Sequence, residues 1–171
     1  VSDHGDLLGD HNLFRKSFPY EGSARVPLLL KGPEGGAVKK NHVSGRVVEL
    51  MDIMPTLLEC AGLNAPAGLE GRSFLGNACG RDGEVHPYIH GEHAVPWGGS
   101  AHFLTDGHEK YVWFSGNGKE QLFDLDKDPQ ELTDLAASSN NSTRVRKWRT
   151  VTVNELKGRE DPLVPVKARA A

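Results

Sequence analysis

Residues 1–27 read VSDHGDLLGDHNLFRKSFPYEGSARVP, and this stretch carries most of what the sequence predicts about fold and chemistry. It holds two Asp-His pairs, at residues 3–4 and 10–11, and a lysine at position 16, with no sustained hydrophobic period. Such a texture is typical of a long loop that carries function. A carboxylate and an imidazole can share a divalent cation: Asp favours Ca²⁺ or Mg²⁺, and His favours Zn²⁺ or Mn²⁺. Two ligands are too few for Ca²⁺, which takes about 6–8 oxygens, so spacing alone leaves a metal site and a polar loop both open.

The bulk composition limits the classes of partner. The chain has 171 residues, 37% of them hydrophobic, and 20 Lys+Arg against 23 Asp+Glu give a net charge of -3. Without a basic surplus, we expect neither a nucleic acid nor a membrane surface as a partner. Two cysteines, Cys60 and Cys79, are too few for a disulfide framework, and Cys60 lies in an apolar run that predicts a small core residue.

The first half of the chain predicts two strands and a helix. The apolar run at residues 25–33 ends in Gly-Pro, and residues 42–50 form a second run of strand-like residues. A helix is predicted to follow, with Asp52 at its N-cap and Pro55 in its first turn. Gly62 supplies the C-terminal stop.

The second half predicts an antiparallel meander. Four short runs, HPYIHGEH, AHFLTD, EKYVWFS and KEQLFDL, are separated by turn signals that include Asp-Gly at 106–107 and Gly-Asn-Gly at 116–118. Residues 128–137 predict a turn that leads into a short helix. Residues 142–158 predict a final helix with a solvated basic face, Arg144, Arg146, Lys147 and Arg149.

Six segments of the chain resemble, in order, the C-terminal part of sulfatases. They are SDHGDLLGDHNLFRK, YEGSARVPLLLKGP, DIMPTLLECAGL, LEGRSF, EKYVWF and EQLFDLDKDPQELTDLA. These enzymes form the arylsulfatase family of the alkaline phosphatase superfamily, and the resemblance covers residues 1 to about 137. It implies an α/β fold: the C-terminal fragment of an alkaline-phosphatase-like α/β sandwich plus a small antiparallel sheet-and-helix subdomain. The implied domains are 1–62 for the end of the catalytic domain, 63–83 for a boundary and 84–171 for the small subdomain.

The resemblance implies metal-dependent hydrolysis of sulfate esters. By the family pattern Asp3 and His4 ligate a divalent cation, usually Ca²⁺ with Mn²⁺ or Zn²⁺ as alternatives. Lys16 matches the lysine that contacts the sulfate and the leaving-group oxygen. His11 matches a family position too, where a catalytic contact with substrate and a loop-packing role remain equally open.

Further residues match the family as supports or as substrate contacts. His90 and His93 fall where family members turn the C-terminal sheet toward the cleft, so they are candidates for substrate binding, with a structural role on a strand as the alternative. The supports that lead the loop back into the fold are Tyr20, Glu21, Ser23 and Arg25.

The family's nucleophile has no counterpart in this sequence. Sulfatases use a formylglycine made within a C/S-x-P-x-R motif, and neither Cys60 nor Cys79 stands in one. We therefore expect a C-terminal portion of a larger sulfatase, inactive alone, whose formylglycine lies in the missing N-terminal part of the same protein. The expected substrate is a sulfated small molecule or glycan, and the family is compatible with a periplasmic or extracellular location.

Two alternatives stay open. A phosphonate or phosphate-ester hydrolase of the same superfamily would carry the same Asp-His-Lys arrangement. A non-catalytic carbohydrate-binding or assembly module would instead use aromatic rings, with Trp97, Tyr111 and Trp113 as candidates to stack on sugars.

Overall fold

The computed structural model describes residues 1–81, 86–95 and 98–159. Contacts divide the chain into two compact units: one consists of Val1 and Pro27–Ile89, and the other joins Ser2–Val26 to the chain from His90 onward. Within the described residues, no helix is both long and apolar enough to span a bilayer. The predicted domain boundaries, with one domain ending at residue 62 and the next beginning at residue 84, remain a prediction.

The larger unit is built on a four-stranded antiparallel meander in the order β1-β2-β3-β4. The strands are β1 (Ile89–Ala94), β2 (Ser100–Thr105), β3 (Glu109–Phe114) and β4 (Glu120–Asp124). In the register, Phe103 lies opposite Val112 and Tyr111 lies opposite Leu122. The four predicted strands are therefore confirmed. The turn signals at 106–107 and 116–118 fall between strands, as expected.

The two faces of this sheet are covered by different parts of the chain. On one face, Leu7 and Tyr20 from the N-terminal stretch join Val112 and Phe123 in a single hydrophobic cluster. The opposite face carries the alternate residues of each strand and contacts the last helix, because successive side chains of a strand point to opposite sides. The N-terminal stretch and that helix thus lie on opposite faces of the sheet.

Helix α4 (Ser142–Leu156) confirms the predicted final helix. Its buried residues share one face, as the 3.6-residue period requires, and are Val145, Trp148, Thr152 and Leu156. Two carboxylates of the sheet anchor it. Glu109 accepts hydrogen bonds from Trp148 Nε1 at 2.7 Å and Arg144 Nε at 2.6 Å, and Glu120 accepts two from Arg149 at 2.7 and 2.6 Å. Part of the basic face therefore attaches the helix to the sheet, whereas Arg146 is exposed.

The smaller unit contains α2 (Ile53–Cys60) and α3 (Leu75–Ala78). The predicted helix is confirmed, and Gly62 follows it with a left-handed φ of 70°. The predicted strands at 25–33 and 42–50 are wrong, because both segments are irregular and Leu29 is 86% exposed. A strand needs a neighbour to pair its N–H and C=O groups, and the described residues contain no strand before Ile89.

Two smaller expectations are also corrected. Residues 128–137 form turns without the predicted short helix, because the Asp128 carboxylate accepts the N–H groups of Leu132 at 3.1 Å and Thr133 at 2.7 Å. Such bonds compete with helix formation. Cys60 is exposed instead of buried, on a helix whose Leu57 is also 56% exposed.

Candidate functional site

The N-terminal loop, helix α1 (Glu21–Ala24) included, holds an unusual backbone. Seven non-glycine residues among those described have positive φ, and five of them fall between positions 8 and 17. They are Leu8, His11, Asn12, Arg15 and Ser17, with φ from 47° to 90°. Each such position costs on the order of 1–3 kcal/mol, and clusters of them mark functional sites. Contacts with the rest of the fold must therefore stabilise these backbone conformations.

Hydrogen bonds and one close approach fix the loop. Gly5 donates its N–H to Ser23 O at 2.9 Å, and a Cβ on Gly5 would collide with the carbonyl oxygen of Gly22. Asp6 Oδ1 accepts the N–H groups of Leu8 and Arg15, both at 3.0 Å. Glycine is therefore required at position 5, where it brings the Asp3-His4 pair beside helix α1.

Asp3 and His4 are arranged as two ligands of one cation would be. His4 Nδ1 lies 2.7 Å from the carbonyl oxygen of Gly5. Because a carbonyl only accepts, Nδ1 carries the hydrogen, and in the neutral form of the ring Nε2 carries the lone pair. That Nε2 lies 3.7 Å from Asp3 Oδ2, a separation suited to two atoms each about 2.3–2.6 Å from a shared Ca²⁺. A backbone oxygen that fixes the imidazole tautomer is the usual support for a metal-ligating histidine.

Lys16 is exposed, and its charge reaches the same pair. The pKa of the Asp3 carboxyl lies below its usual value, first because its own backbone N–H donates to it, then because of the charge on His4, with a smaller contribution from Lys16. His4 and Lys16 thus both favour the ionised form of the Asp3 carboxyl.

His11 has a packing partner. Its ring stacks on Tyr20 with centroids 3.9 Å apart and an interplanar angle of 13°. Tyr20 in turn donates its hydroxyl hydrogen to Gln121 Oε1 of β4 at 3.0 Å. This contact provides the loop-packing role, and a catalytic role for His11 remains a prediction.

A buried ion cluster ties helix α1 to the sheet. The side chain of Lys110 is fully buried, and its Nζ lies 2.7 Å from Glu21 Oε1 and 3.1 Å from Glu131 Oε1. The contact with Glu131 is an ion pair between two buried side chains. Glu131 Oε2 also accepts the N–H of Glu21 at 2.6 Å. These contacts agree with the predicted role of Glu21 as a support.

The structure separates the two predicted substrate-binding histidines. His90 contacts His102 on the helix side of the sheet, whereas Gly91 packs against Phe103 on the loop side. His93 follows Gly91 by two positions and shares its face. The two histidines therefore lie on opposite faces of the sheet, and whether either contacts substrate remains a prediction.

Two clusters escaped the sequence analysis. One consists of His90, Glu92 and His102. The pattern that could have predicted it is the HGEH run followed by a histidine on the next strand. The other is Glu49, Asp52 and His86 in the smaller unit. There the Asp52 carboxylate accepts hydrogen bonds from the N–H groups of Glu49 at 2.9 Å and Arg72 at 2.7 Å, and it also contacts His86. These three contacts tie the start of α2 to residues 72 and 86, which is a structural role for Asp52.

Comparison with known proteins decides the family. Residues 9–157 match the family described as N-sulphoglucosamine sulphohydrolase, C-terminal. The chain belongs to the sulfatase family. An arylsulfatase of Clostridium perfringens is 47% identical to this sulfatase chain over 163 residues, which cover 94% of the chain and 34% of the relative. The chain thus spans between a quarter and a third of the length of the curated relatives it matches.

Solved structures agree on the fold. A putative sulfatase from Bacteroides thetaiotaomicron has a TM-score of 0.83 at 25% identity, covering 98% of this chain and 38% of that one. The phosphonate monoester hydrolase of Agrobacterium radiobacter has a TM-score of 0.76 at 26% identity, covering 90% and 33%. The sheet-and-helix architecture is therefore that of sulfatases and of a phosphonate hydrolase alike.

Proposed function

We propose that this chain is the C-terminal portion of a sulfuric ester hydrolase and contributes part of its metal site and its leaving-group lysine. The observation that carries the proposal is the pairing of Asp3 Oδ2 with His4 Nε2 at 3.7 Å, with Gly5 O fixing the imidazole. The donor set, one carboxylate and one neutral imidazole, suits Ca²⁺ or Mn²⁺ once further ligands from the rest of the enzyme join it. The similarity to an arylsulfatase over nearly the whole chain supports the same assignment.

Each residue has a defined part. A bound cation supplies positive charge beside the sulfate oxygens. Asp3 and His4 would hold its position, and the Nδ1 contact with Gly5 O fixes the ring orientation of His4, which leaves Nε2 as the ligand atom. Lys16 donates to the leaving-group oxygen as negative charge develops there, which is the usual way that a fixed cation lowers such a barrier. The nucleophile is expected from the N-terminal part of the enzyme.

A second candidate is phosphonate or phosphate-ester hydrolysis. It is favoured by the likeness to the phosphonate monoester hydrolase. Sulfate monoesters and phosphonate monoesters both present a tetrahedral anion with one net charge, so Asp3, His4 and Lys16 would serve either. The higher identity to an arylsulfatase, 47% against 26%, ranks the sulfatase first.

The carbohydrate-binding alternative has less support. Tyr111 is 1% exposed and offers no face for a sugar, whereas Trp113 is half-buried with one ring face stacked on His102. Trp97 lies outside the described residues.

The test compares ester classes in the full-length enzyme. An aryl sulfate and an aryl phosphonate monoester are assayed in parallel, before and after removal of divalent cations with a chelator. We expect a higher kcat/KM on the sulfate, loss of activity on chelation and recovery on adding Ca²⁺ or Mn²⁺. A higher kcat/KM on the phosphonate would favour the second candidate, and activity that survives complete chelation would contradict the metal role.

A further inference from the structure

The cluster on the helix side of the sheet brings three ligand-type atoms together. His90 and Glu92 lie two positions apart on β1 and share a face, and His102 stands beside them on β2. His90 Nε2 lies 3.2 Å from His102 Nδ1, which lies 3.5 Å from Glu92 Oε2. All three atoms fall within 4.8 Å of one another.

The two separations that involve His102 Nδ1 are close to the edges of a tetrahedral metal site. Zn²⁺ binds His nitrogen at about 2.0–2.1 Å and carboxylate oxygen at about 2.0–2.2 Å, so two ligands of a tetrahedron stand about 3.3–3.6 Å apart. Two histidines and one glutamate form a known zinc donor set that leaves the fourth position open. We propose that His90, Glu92 and His102 bind a divalent transition-metal ion, with Zn²⁺ as the best fit.

Outer contacts orient each ligand as such a site requires. Ser100 Oγ lies 2.7 Å from His102 Nε2 and 3.0 Å from Ser115 Oγ. When Ser100 accepts from Nε2–H and donates to Ser115, the lone pair of His102 Nδ1 faces His90 and Glu92. Ser100 and the ring of Trp113, whose centroid lies 5.4 Å from that of His102, hold this buried imidazole in place.

Arg159 orients the carboxylate. It donates to both oxygens of Glu92, at 2.9 and 3.0 Å. A carboxylate has about four acceptor positions, so Glu92 Oε2 can bind a metal while Arg159 keeps its hydrogen bonds. Ligating carboxylates are commonly hydrogen-bonded in this way.

The surroundings suit metal entry and binding. Glu92 is 38% exposed while His102 is fully buried, which gives a path from solvent to a sheltered ligand. The cluster lies on the opposite face of the sheet from the Asp3-His4 loop, so the site is independent of the proposed sulfate chemistry.

Zinc titration of the 171-residue chain by calorimetry tests the proposal, with thermal unfolding of each variant to verify its fold. We expect one Zn²⁺ per chain at this cluster, and a loss of affinity of more than about 100-fold in His90→Ala and in Glu92→Gln, since even outer partners of a metal site cost about 10- to 100-fold. His93→Ala is the matched control for zinc affinity, because that imidazole lies on the same strand but on the other face.

A further variant separates this site from the N-terminal pair. Asp3→Ala combined with His4→Ala should leave zinc binding at the cluster unchanged. The proposal is overturned if the folded chain binds no Zn²⁺, if His90→Ala or Glu92→Gln binds as tightly as the parent, or if the Asp3/His4 variant is the one that loses the ion.

Discussion

Lys110→Met tests whether the buried ion cluster holds helix α1 on the sheet. Lys110 has no exposed surface and contacts Glu21 and Glu131, and its Nζ also lies 5.2 Å from the centroid of the Phe103 ring. Methionine keeps the length and the apolar stem of the side chain but removes the charge. Glu131, whose side chain is 1% exposed, then loses the cation of the cluster, whereas Glu21 keeps its contact with Arg25 at 3.4 Å.

The expected loss follows from the burial of this cluster. Removing one partner of a buried ion pair costs about 3–5 kcal/mol, because the remaining charge stays desolvated without compensation. Burial already raises the pKa of Glu131, and the Lys110 charge acts against that rise. We therefore expect Lys110→Met to lower the free energy of unfolding by about 3–5 kcal/mol.

Urea denaturation at pH 7 measures this loss. Lys127→Met is the matched control, because Lys127 is exposed and its contact with Asp124, at 3.3 Å, lies at the surface. Exposed pairs contribute about 0–1 kcal/mol. With a slope of about 2 kcal/mol per molar urea, Lys110→Met should move the midpoint by roughly 2 M and the control by less than about 0.5 M.

A rescue variant distinguishes charge from packing. Combining Lys110→Met with Glu21→Gln and Glu131→Gln removes all three charges, and uncharged replacements of buried ion clusters are often well tolerated. We expect this triple variant to recover more than half of the free energy of unfolding that Lys110→Met loses. If Lys110→Met alone fails to fold, the triple variant should still fold. The reasoning is refuted if Lys110→Met costs less than about 1 kcal/mol, or if the rescue variant is no more stable than the single substitution.

Three further predictions concern acid stability, a surface histidine and the buried carboxylate of Asp52. Burial acts to raise the pKa of Glu120, but hydrogen bonds from Arg149 and Tyr111 and the charge of Arg149 together outweigh it, so the pKa lies below the usual 4.5. Glu120 therefore stabilises the fold above pH 4.5 and loses that contribution as pH falls through its folded pKa. In Glu120→Gln the melting temperature should fall less steeply with decreasing pH than in the parent. An unchanged slope would argue against a stabilising Glu120–Arg149 pair. The hydrogen bond to Asp126 raises the pKa of His108 above 6.5, and an NMR titration of Asp126→Asn should return it toward that value, where no change would exclude the cause. Asp52→Ala should cost about 1–3 kcal/mol for each donor left unpaired, measured by urea denaturation, and a total below about 1 kcal/mol would contradict its structural role.

The sequence predicted the elements whose partners are close along the chain. The meander follows from alternating runs and from turns at 106–107 and 116–118, and helix α2 follows from Pro55 and Gly62. Residues 25–33 carry an equally strong apolar run, yet form no strand. A hydrophobic run does not show whether a second strand is available to pair with it, and residues 25–33 have no such neighbour among the described residues.

The candidate site shows a similar division. Asp3, His4 and Lys16 were found because they are close in sequence and match a family motif. The partnership of Lys110 with Glu21 spans 89 positions, and His102 joins His90 only through strand pairing, so no local spacing could predict either. The opposite faces of His90 and His93 follow from the period of two once the strand is known.

The most direct test of the central claim is the effect of Lys16→Met on aryl sulfate hydrolysis by the full-length enzyme. Loss of one donor to developing negative charge costs about 10²- to 10³-fold in kcat, and we expect that loss here with a much smaller change in KM. Lys119→Met, an exposed lysine in the turn between β3 and β4, should retain the parent's kcat. Equal rates for Lys16→Met and Lys119→Met would contradict the assignment of this loop to the active site of a sulfatase.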